Sequence, residues 1–307
     1  MKIGLIDVDS HNFPNLALMK ISAYHKALGD AVEWANALEH YDVVYQSKVF
    51  DNTYSPDIDW SPNADKIIKG GTGYNIKTML PDEIEHIYPD YNLYPTLTKD
   101  TAYGYLTRGC PRGCEFCIVA EKEGRKSCKV ANLNEFWRGQ KYIKLLDANI
   151  LACKQHKDLL RQLADSKAYV DFTQGLDARL LTIDNIQLIN QIKLKGIHFA
   201  WDKPEDEKAI VPKLELYAKL ATHKPHGMYG TVYCLTNFGT THEQDLYRVY
   251  KLTKLGYDPY VMIYDKPNAP LETRRLQTWC NNVIVRKQCP DFADFGKTKD
   301  TKQLTML

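Results

Sequence analysis

The segment Arg108-Gly109-Cys110-Pro111-Arg112-Gly113-Cys114-Glu115-Phe116-Cys117 sets three cysteines at CxxxCxxC spacing in a chain of 307 residues. A loop this short lets three thiolates reach three corners of one iron–sulfur cubane, for which cysteine thiolate is the usual ligand. Three ligands leave one metal position open, and an open position is where chemistry can occur. Gly109 and Gly113 permit the tight backbone turns of a loop wrapped around inorganic sulfide. Structural zinc is the competing reading, but it wants four ligands, commonly as two separated pairs. No second pair exists, because Cys128, Cys153, Cys234, Cys280 and Cys289 are scattered singly. Those five read as small buried hydrophobes rather than as ligands of a second cluster.

From residue 102 onward, strand and helix patterns alternate. Strands are predicted at 102–107, 142–146, 169–173, 197–201, 229–235, 260–264 and 283–285. Between them, the helical segment 152–166 puts Leu159, Leu160 and Leu163 on one face. Thr182 can cap a helix bearing Ile183, Ile186, Ile189 and Ile192, and Thr241 and Gln244 have capping-box spacing before a helix that stops at Gly256. Parallel strands need crossover helices, and consecutive right-handed βα units curl toward a barrel or an open part of one. A doubly wound open sheet is the alternative architecture.

Ahead of this repeat lies a smaller α/β pattern. It has a strand at 2–7, a helix at 15–28 that stops at Gly29, and short strands at 31–34, 42–46 and 66–69. Residues 52–63 are rich in Asn, Asp, Ser and Pro and read as loop, and 89–99, with Pro89 and Pro95, reads as a linker. The expected organisation is an N-terminal domain over 1–98, a barrel domain over 99–290 and a tail over 291–307.

Composition narrows the class further. Apolar residues make up 44% of the chain, enough for a substantial core. No stretch approaches the roughly 18 consecutive apolar residues of a membrane span, so no membrane association is expected. The start Met1-Lys2-Ile3-Gly4-Leu5-Ile6-Asp7 meets an acidic residue where a signal peptide would continue its apolar run. That points to the cytoplasm, where cysteines serve metal or catalysis rather than disulfides. A net charge of +2 exerts no strong pull on nucleic acid, which is not indicated as a partner.

The CxxxCxxC spacing, with the aromatic Phe116 just before its third cysteine, resembles the signature of the radical S-adenosylmethionine (SAM) superfamily. "RGCPRGCEFC" resembles the subset that carries an N-terminal cobalamin-binding-like domain, many of whose members transfer methyl or methylthio groups. The resemblance implies a small flavodoxin-like N-terminal domain followed by a partial (β/α)6 barrel. It implies a [4Fe–4S] cluster on Cys110, Cys114 and Cys117, with SAM chelating the open iron. SAM would be cleaved to a 5′-deoxyadenosyl radical that abstracts hydrogen from a substrate, a peptide, RNA or small metabolite that the sequence does not identify. A flavodoxin- or ferredoxin-type donor would supply the electron. The alternative function is a non-catalytic, metal-stabilised binding module.

Ligands of parallel barrels gather at the C-terminal ends of the strands. The expected SAM contacts, besides Phe116, are therefore Asp147 and Asn149, Gln174 and Arg179, Trp201 and Asp202, Thr236 and Asn237, and Tyr264. The resemblance assigns the SAM amino group to the place of Asp147 and Asn149. There the family's Gly-Gly-Glu-like stretch is replaced by Leu146-Asp147-Ala148-Asn149. Arg179 offers a planar fork for the SAM carboxylate, and Asp202 an acceptor for ribose hydroxyls. In the N-terminal domain, Gly70-Gly71-Thr72-Gly73 resembles the glycine turn of cobalamin binders. The DxHxxG signature, however, is broken at Asp9-Ser10-His11, because Pro14 stands where glycine should, and cobalamin is not expected.

Overall fold

The computed structural model describes residues 1–297. The chain divides into two compact units, the first Met1–Leu146 and the second starting at Asp147. Both are mixed α/β and both are built on parallel sheets.

The first unit opens with strand β1 (Lys2–Asp7), helix α1 (Leu16–Ala27), and strands β2 (Ala31–Trp34), β3 (His40–Ser47) and β4 (Asn63–Gly70). The four strands form one parallel sheet in the order β2-β1-β3-β4. Asn15 starts α1 by accepting the Leu18 amide on its side chain, which satisfies one of the orphan donors of the first turn. The helix packs Leu18 and Ile21 on Ile3 and Leu5 of β1. Only the β1–β2 crossover is a regular helix. The other sheet face is covered by loop residues instead, Ala35, Ile58 and Trp60 closing over Ile6, Tyr41 and Val44. Gly4 belongs to this tight layer: a methyl group there would meet Ala35, Tyr41 and Val44, each at 3.0 Å.

Short helices α2 (Asp82–Glu85) and α3 (Pro95–Thr98) lead to strand β5 (Thr101–Gly104). The expected strand over 102–107 is not continuous. It stops at Gly104, where a Cβ would lie 2.3 Å from the Phe136 ring. The chain then turns away, and β6 (Thr107–Arg108) pairs antiparallel with β7 (Cys128–Lys129). Between these two short strands lie the cysteines and helix α4 (Val119–Lys122). Strand β8 (Tyr142–Leu145) returns parallel to β5 and completes the unit.

The second unit contains α5 (His156–Ser166), β9 (Tyr169–Leu176), α6 (Ile183–Ile189), β10 (Lys193–Ala200), α7 (Glu207–Leu220), β11 (Thr231–Thr236), α8 (His242–Lys254), β12 (Asp258–Ile263), α9 (Leu271–Asn281) and α10 (Val283–Gln288). Neighbouring strands from β9 to β12 pair parallel in chain order. Thr182 and Thr241 cap α6 and α8 with reciprocal side-chain bonds from Asn185 and Gln244. The α6 helix ends before Ile192, the last residue of its predicted apolar stripe.

One strand expectation is overturned. Residues 283–285 are not a strand but the first turn of α10. The Asn282 side chain accepts from the Ile284 and Val285 amides, and this cap outweighs the β preference of Val-Ile-Val. Residues 291–297 are described and include a short turn at Phe292–Asp294. The rest of the expected tail, 298–307, lies outside the described residues. Side chains of α9 and α10 close the outer edge of β12. Asn281 accepts from the Val261 amide at 2.7 Å and donates to its carbonyl at 3.0 Å, and Gln277 also donates to that carbonyl. Among the described residues no helix is long and apolar enough to cross a membrane.

Candidate functional site

Cys110, Cys114 and Cys117, none of them in a disulfide, stand on the single loop between β6 and β7, the first two half-buried and the third exposed. Gly109 and Gly113 both take positive φ, +88° and +58°, so each supplies a turn that other residues rarely adopt. The Cys117 amide donates to the Cys114 carbonyl at 3.0 Å, bending the CxxC part back on itself. Phe116, half-buried, sits inside that bend.

Among the described residues, no three His, Cys, Asp or Glu side chains converge on a single ion, these thiols included. Cysteine thiolate is the usual ligand of an iron–sulfur cubane, whose ligands stand on separate corners. The donor chemistry agrees. Three partly accessible thiols on one glycine-turned loop fit three irons of a [4Fe–4S] cluster and leave the fourth iron to another ligand.

The remaining cysteines are placed differently. Cys153, Cys234 and Cys280 are buried, Cys289 is half-buried and Cys128 is exposed. Burial pushes the Cys280 thiol up to about 12 and raises the Cys234 thiol as well, which keeps both in the unreactive protonated form.

In the second unit, the strand ends carry most of the other expected residues. Asp147 and Asn149 are buried at its start. β9 runs on to Leu176, so Gln174 lies exposed within the strand rather than after it. Arg179 follows in a turn, its Nε donating to Asp177 at 2.7 Å and its Nη1 to Asp206 at 2.8 Å. The guanidinium is thus held in place by two carboxylates.

At the end of β10, Trp201 is fully buried, and its ring N–H donates to the Lys203 carbonyl at 2.9 Å. Asp202 accepts the Leu235 amide at 3.2 Å, which joins the β10 end to β11. Burial raises the Asp202 carboxyl above the usual carboxylate range, with the Leu235 amide, Arg248 and Arg179 pulling the other way. Thr236 is buried and donates to the Met262 carbonyl. Asn237, at φ +61°, donates to the Tyr264 carbonyl at 2.8 Å. Tyr264 is exposed, with the Phe238 ring edge-on at 4.8 Å. The ends of β10, β11 and β12 thus carry Asp202, Asn237 and Tyr264 as a polar rim, while Thr236 is wholly buried and takes no part in it.

Two groups were not singled out from the sequence. Arg248 of α8 is fully buried and fastens the rim from behind. It donates to the carbonyls of Trp201, Asp202 and Leu235 and to the Asp245 carboxylate. Its one signal is the (i, i+3) spacing to Asp245 on a predicted helix. Glu123, at the stem of the cysteine loop, carries no motif at all.

The glycine turn of the first unit is filled by the chain itself. A Cβ on Gly71 would lie 2.2 Å from the Lys48 carbonyl oxygen, and one on Gly73 would lie 2.3 Å from that of Phe50. Nearby, His11 is exposed at φ +48°, and Asn15 donates to Ser10 and Ser47.

No protein-family model matches the chain, and neither does any curated protein. Among solved structures, it is similar to Streptococcus suis SuiB bound to the precursor peptide SuiA. The identity is 12% and the TM-score 0.42, over 70% of this chain and 54% of that one. It is similar to the same degree, 12% identity and TM-score 0.42, to SuiB bound to S-adenosylmethionine, over 70% of this chain and 53% of that one. The chain spans about half the length of these SuiB chains.

Proposed function

We propose that this chain is a radical SAM enzyme. The observation that carries the reading is the loop holding Cys110, Cys114 and Cys117, three thiols outside any disulfide on glycine-permitted turns. When bound there, a [4Fe–4S] cluster would supply the electron that splits SAM into methionine and a 5′-deoxyadenosyl radical, which then takes hydrogen from the substrate. The protein's own part is to bind, orient and keep water away.

Residues 99–290 act as a partial (β/α)6 barrel, a reading supported by the parallel βα succession. Residues 1–98 act as a flavodoxin-like accessory domain. The β2-β1-β3-β4 order, which begins the flavodoxin-like order 2-1-3-4-5, supports that assignment. The backbone-filled Gly71 and Gly73 favour a role for it without cobalamin.

SAM is held by polar groups at the strand ends. Asp147 and Asn149 answer its ammonium, and Arg179 its carboxylate. Asp202, with Trp201 beneath it, takes the ribose, and Gln174, Asn237 and Tyr264 complete the rim. A flavodoxin- or ferredoxin-type protein in the cytoplasm provides the electron.

The test is anaerobic reconstitution with iron and sulfide, followed by reduction in the presence of SAM. The expected result is about four iron and four sulfide per chain, the content of one cubane, and formation of 5′-deoxyadenosine. Stoichiometric zinc without acid-labile sulfide would refute the proposal.

A further inference from the structure

The stem of the cysteine loop is fastened from one side. Glu123 accepts the Gly109 amide at 3.0 Å and Nη1 of Arg108 at 2.8 Å, and its side chain is only 9% exposed. One residue on, the Cys110 amide donates to the Gly124 carbonyl at 3.1 Å. The peptide groups on both sides of Gly109 are thus held by the turn that follows α4. The fit is close, since a Cβ on Gly109 would lie 2.2 Å from the Lys126 carbonyl oxygen.

Arg108 is held in turn. Its guanidinium carbon lies 4.0 Å from the centre of the Tyr105 ring, and Nη2 reaches Glu85 at 3.2 Å. Glu85 also receives Lys20 of α1 at 2.9 Å. Charges therefore alternate from the loop inward, Glu123, Arg108, Glu85, Lys20, all within the first unit and mutually neutralised. An ordinary surface ion pair would not capture a backbone amide directly before a metal-binding thiol.

We propose that Glu123 is the positioning residue of the cysteine loop, fixing the Arg108-Gly109-Cys110 backbone so that the Cys110 thiol is aimed before any metal arrives. The inference rests on the cluster reading for its purpose but not for its geometry. Glu123 acts through Gly109 and Arg108.

The experiment compares the full-length wild type with Glu123→Ala and Glu123→Gln, using hydrogen exchange of the apoprotein and iron release to a chelator after reconstitution. In Glu123→Ala, the Gly109 and Cys110 amides should exchange about tenfold faster or more, the scale of a lost hydrogen bond to a charged group. Iron should leave faster by a similar factor, and the signal of the reduced cluster in electron paramagnetic resonance should broaden as the Cys110 geometry loosens.

Glu123→Gln keeps an acceptor oxygen for Gly109 and should recover most of the protection. It also covers the case in which alanine prevents folding. Exchange at Gly109 that is unchanged in Glu123→Ala, or as fast in glutamine as in alanine, would overturn the proposal. If the wild type itself takes up no iron and sulfide, the cluster reading falls, while the exchange data still decide whether Glu123 fixes the loop.

Discussion

Replacing Arg248 with methionine tests how the polar rim of the second unit is held. Arg248 is fully buried and donates to the Trp201, Asp202 and Leu235 carbonyls at 2.6, 2.8 and 2.7 Å and to Asp245 at 2.6 Å. Methionine fills much of the same space with no donor. Asp245, only 2% exposed, is then left without its cation, and breaking such a buried pair costs about 3–5 kcal/mol. Two of the three carbonyls cap strand ends rather than sit in the sheet ladder, so losing their donor adds to the cost.

We expect a loss of about 4 kcal/mol, or a melting temperature lower by roughly 10 °C at the 2–4 °C per kcal/mol usual for units of this size. Pairing Arg248→Met with Asp245→Leu removes the stranded charge. The double variant should regain about half the loss, the remainder belonging to the unpaired carbonyls. Thermal unfolding followed by circular dichroism reads both variants. An Arg248→Met protein melting within about 2 °C of wild type would refute the reasoning, because a buried charge pair cannot be opened that cheaply.

Alanine at Cys110, Cys114 or Cys117 should abolish the iron and acid-labile sulfide gained on reconstitution while leaving the far-ultraviolet circular dichroism unchanged. Arg179→Ala and Asp202→Ala should keep the cluster yet weaken SAM binding about tenfold or more, measured by isothermal titration, since a charge-assisted hydrogen bond is worth roughly 1.5–3 kcal/mol. Gly104→Ala should lower stability by about 1–3 kcal/mol in urea unfolding, because its methyl group cannot share space with the Phe136 ring. The raised Asp202 carboxyl predicts a pH effect. Its folded-state pKa lies above the unfolded value, so its ionisation opposes folding, and that penalty grows as pH rises from about 4 through the folded-state value. Asp202→Asn should therefore gain stability relative to wild type at pH 7 and lose that advantage near pH 4, as read by urea midpoints.

Local signals were legible wherever one residue's chemistry decides the backbone. The left-handed Gly29 after α1, the caps at Thr182 and Thr241, and the left-handed Gly256 that follows α8 could all be read from side-chain oxygens and glycine. Spacing alone singled out the cysteine loop, because three thiols so close have few other uses.

What could not be read depended on partners distant in sequence. The strand over 102–107 breaks because Phe136 leaves no room beyond Gly104 and Cys128 waits to pair with Arg108. Val283 to Val285 turns helical because Asn282 caps it and Val285 joins the cluster around Trp279 and Phe292. Glu123 looked like any charged loop residue, since its meaning comes only from the Gly109 amide opposite.

The closure of β12 by α9 and α10 bears on how the molecule behaves in a crowded solution. The outward-facing positions of that strand include 259 and 261. Residue 259 is proline, which has no amide to offer, and its carbonyl faces Arg286. Residue 261 has both backbone groups taken by the Asn281 amide, which poses as a neighbouring strand. An extended segment from another molecule would find both of these positions taken, so this border of the sheet resists fibril-like growth and capture of peptide strands. Asn281→Ala would leave the Val261 carbonyl to Gln277 but bare its amide, and so open a sealed border to self-association.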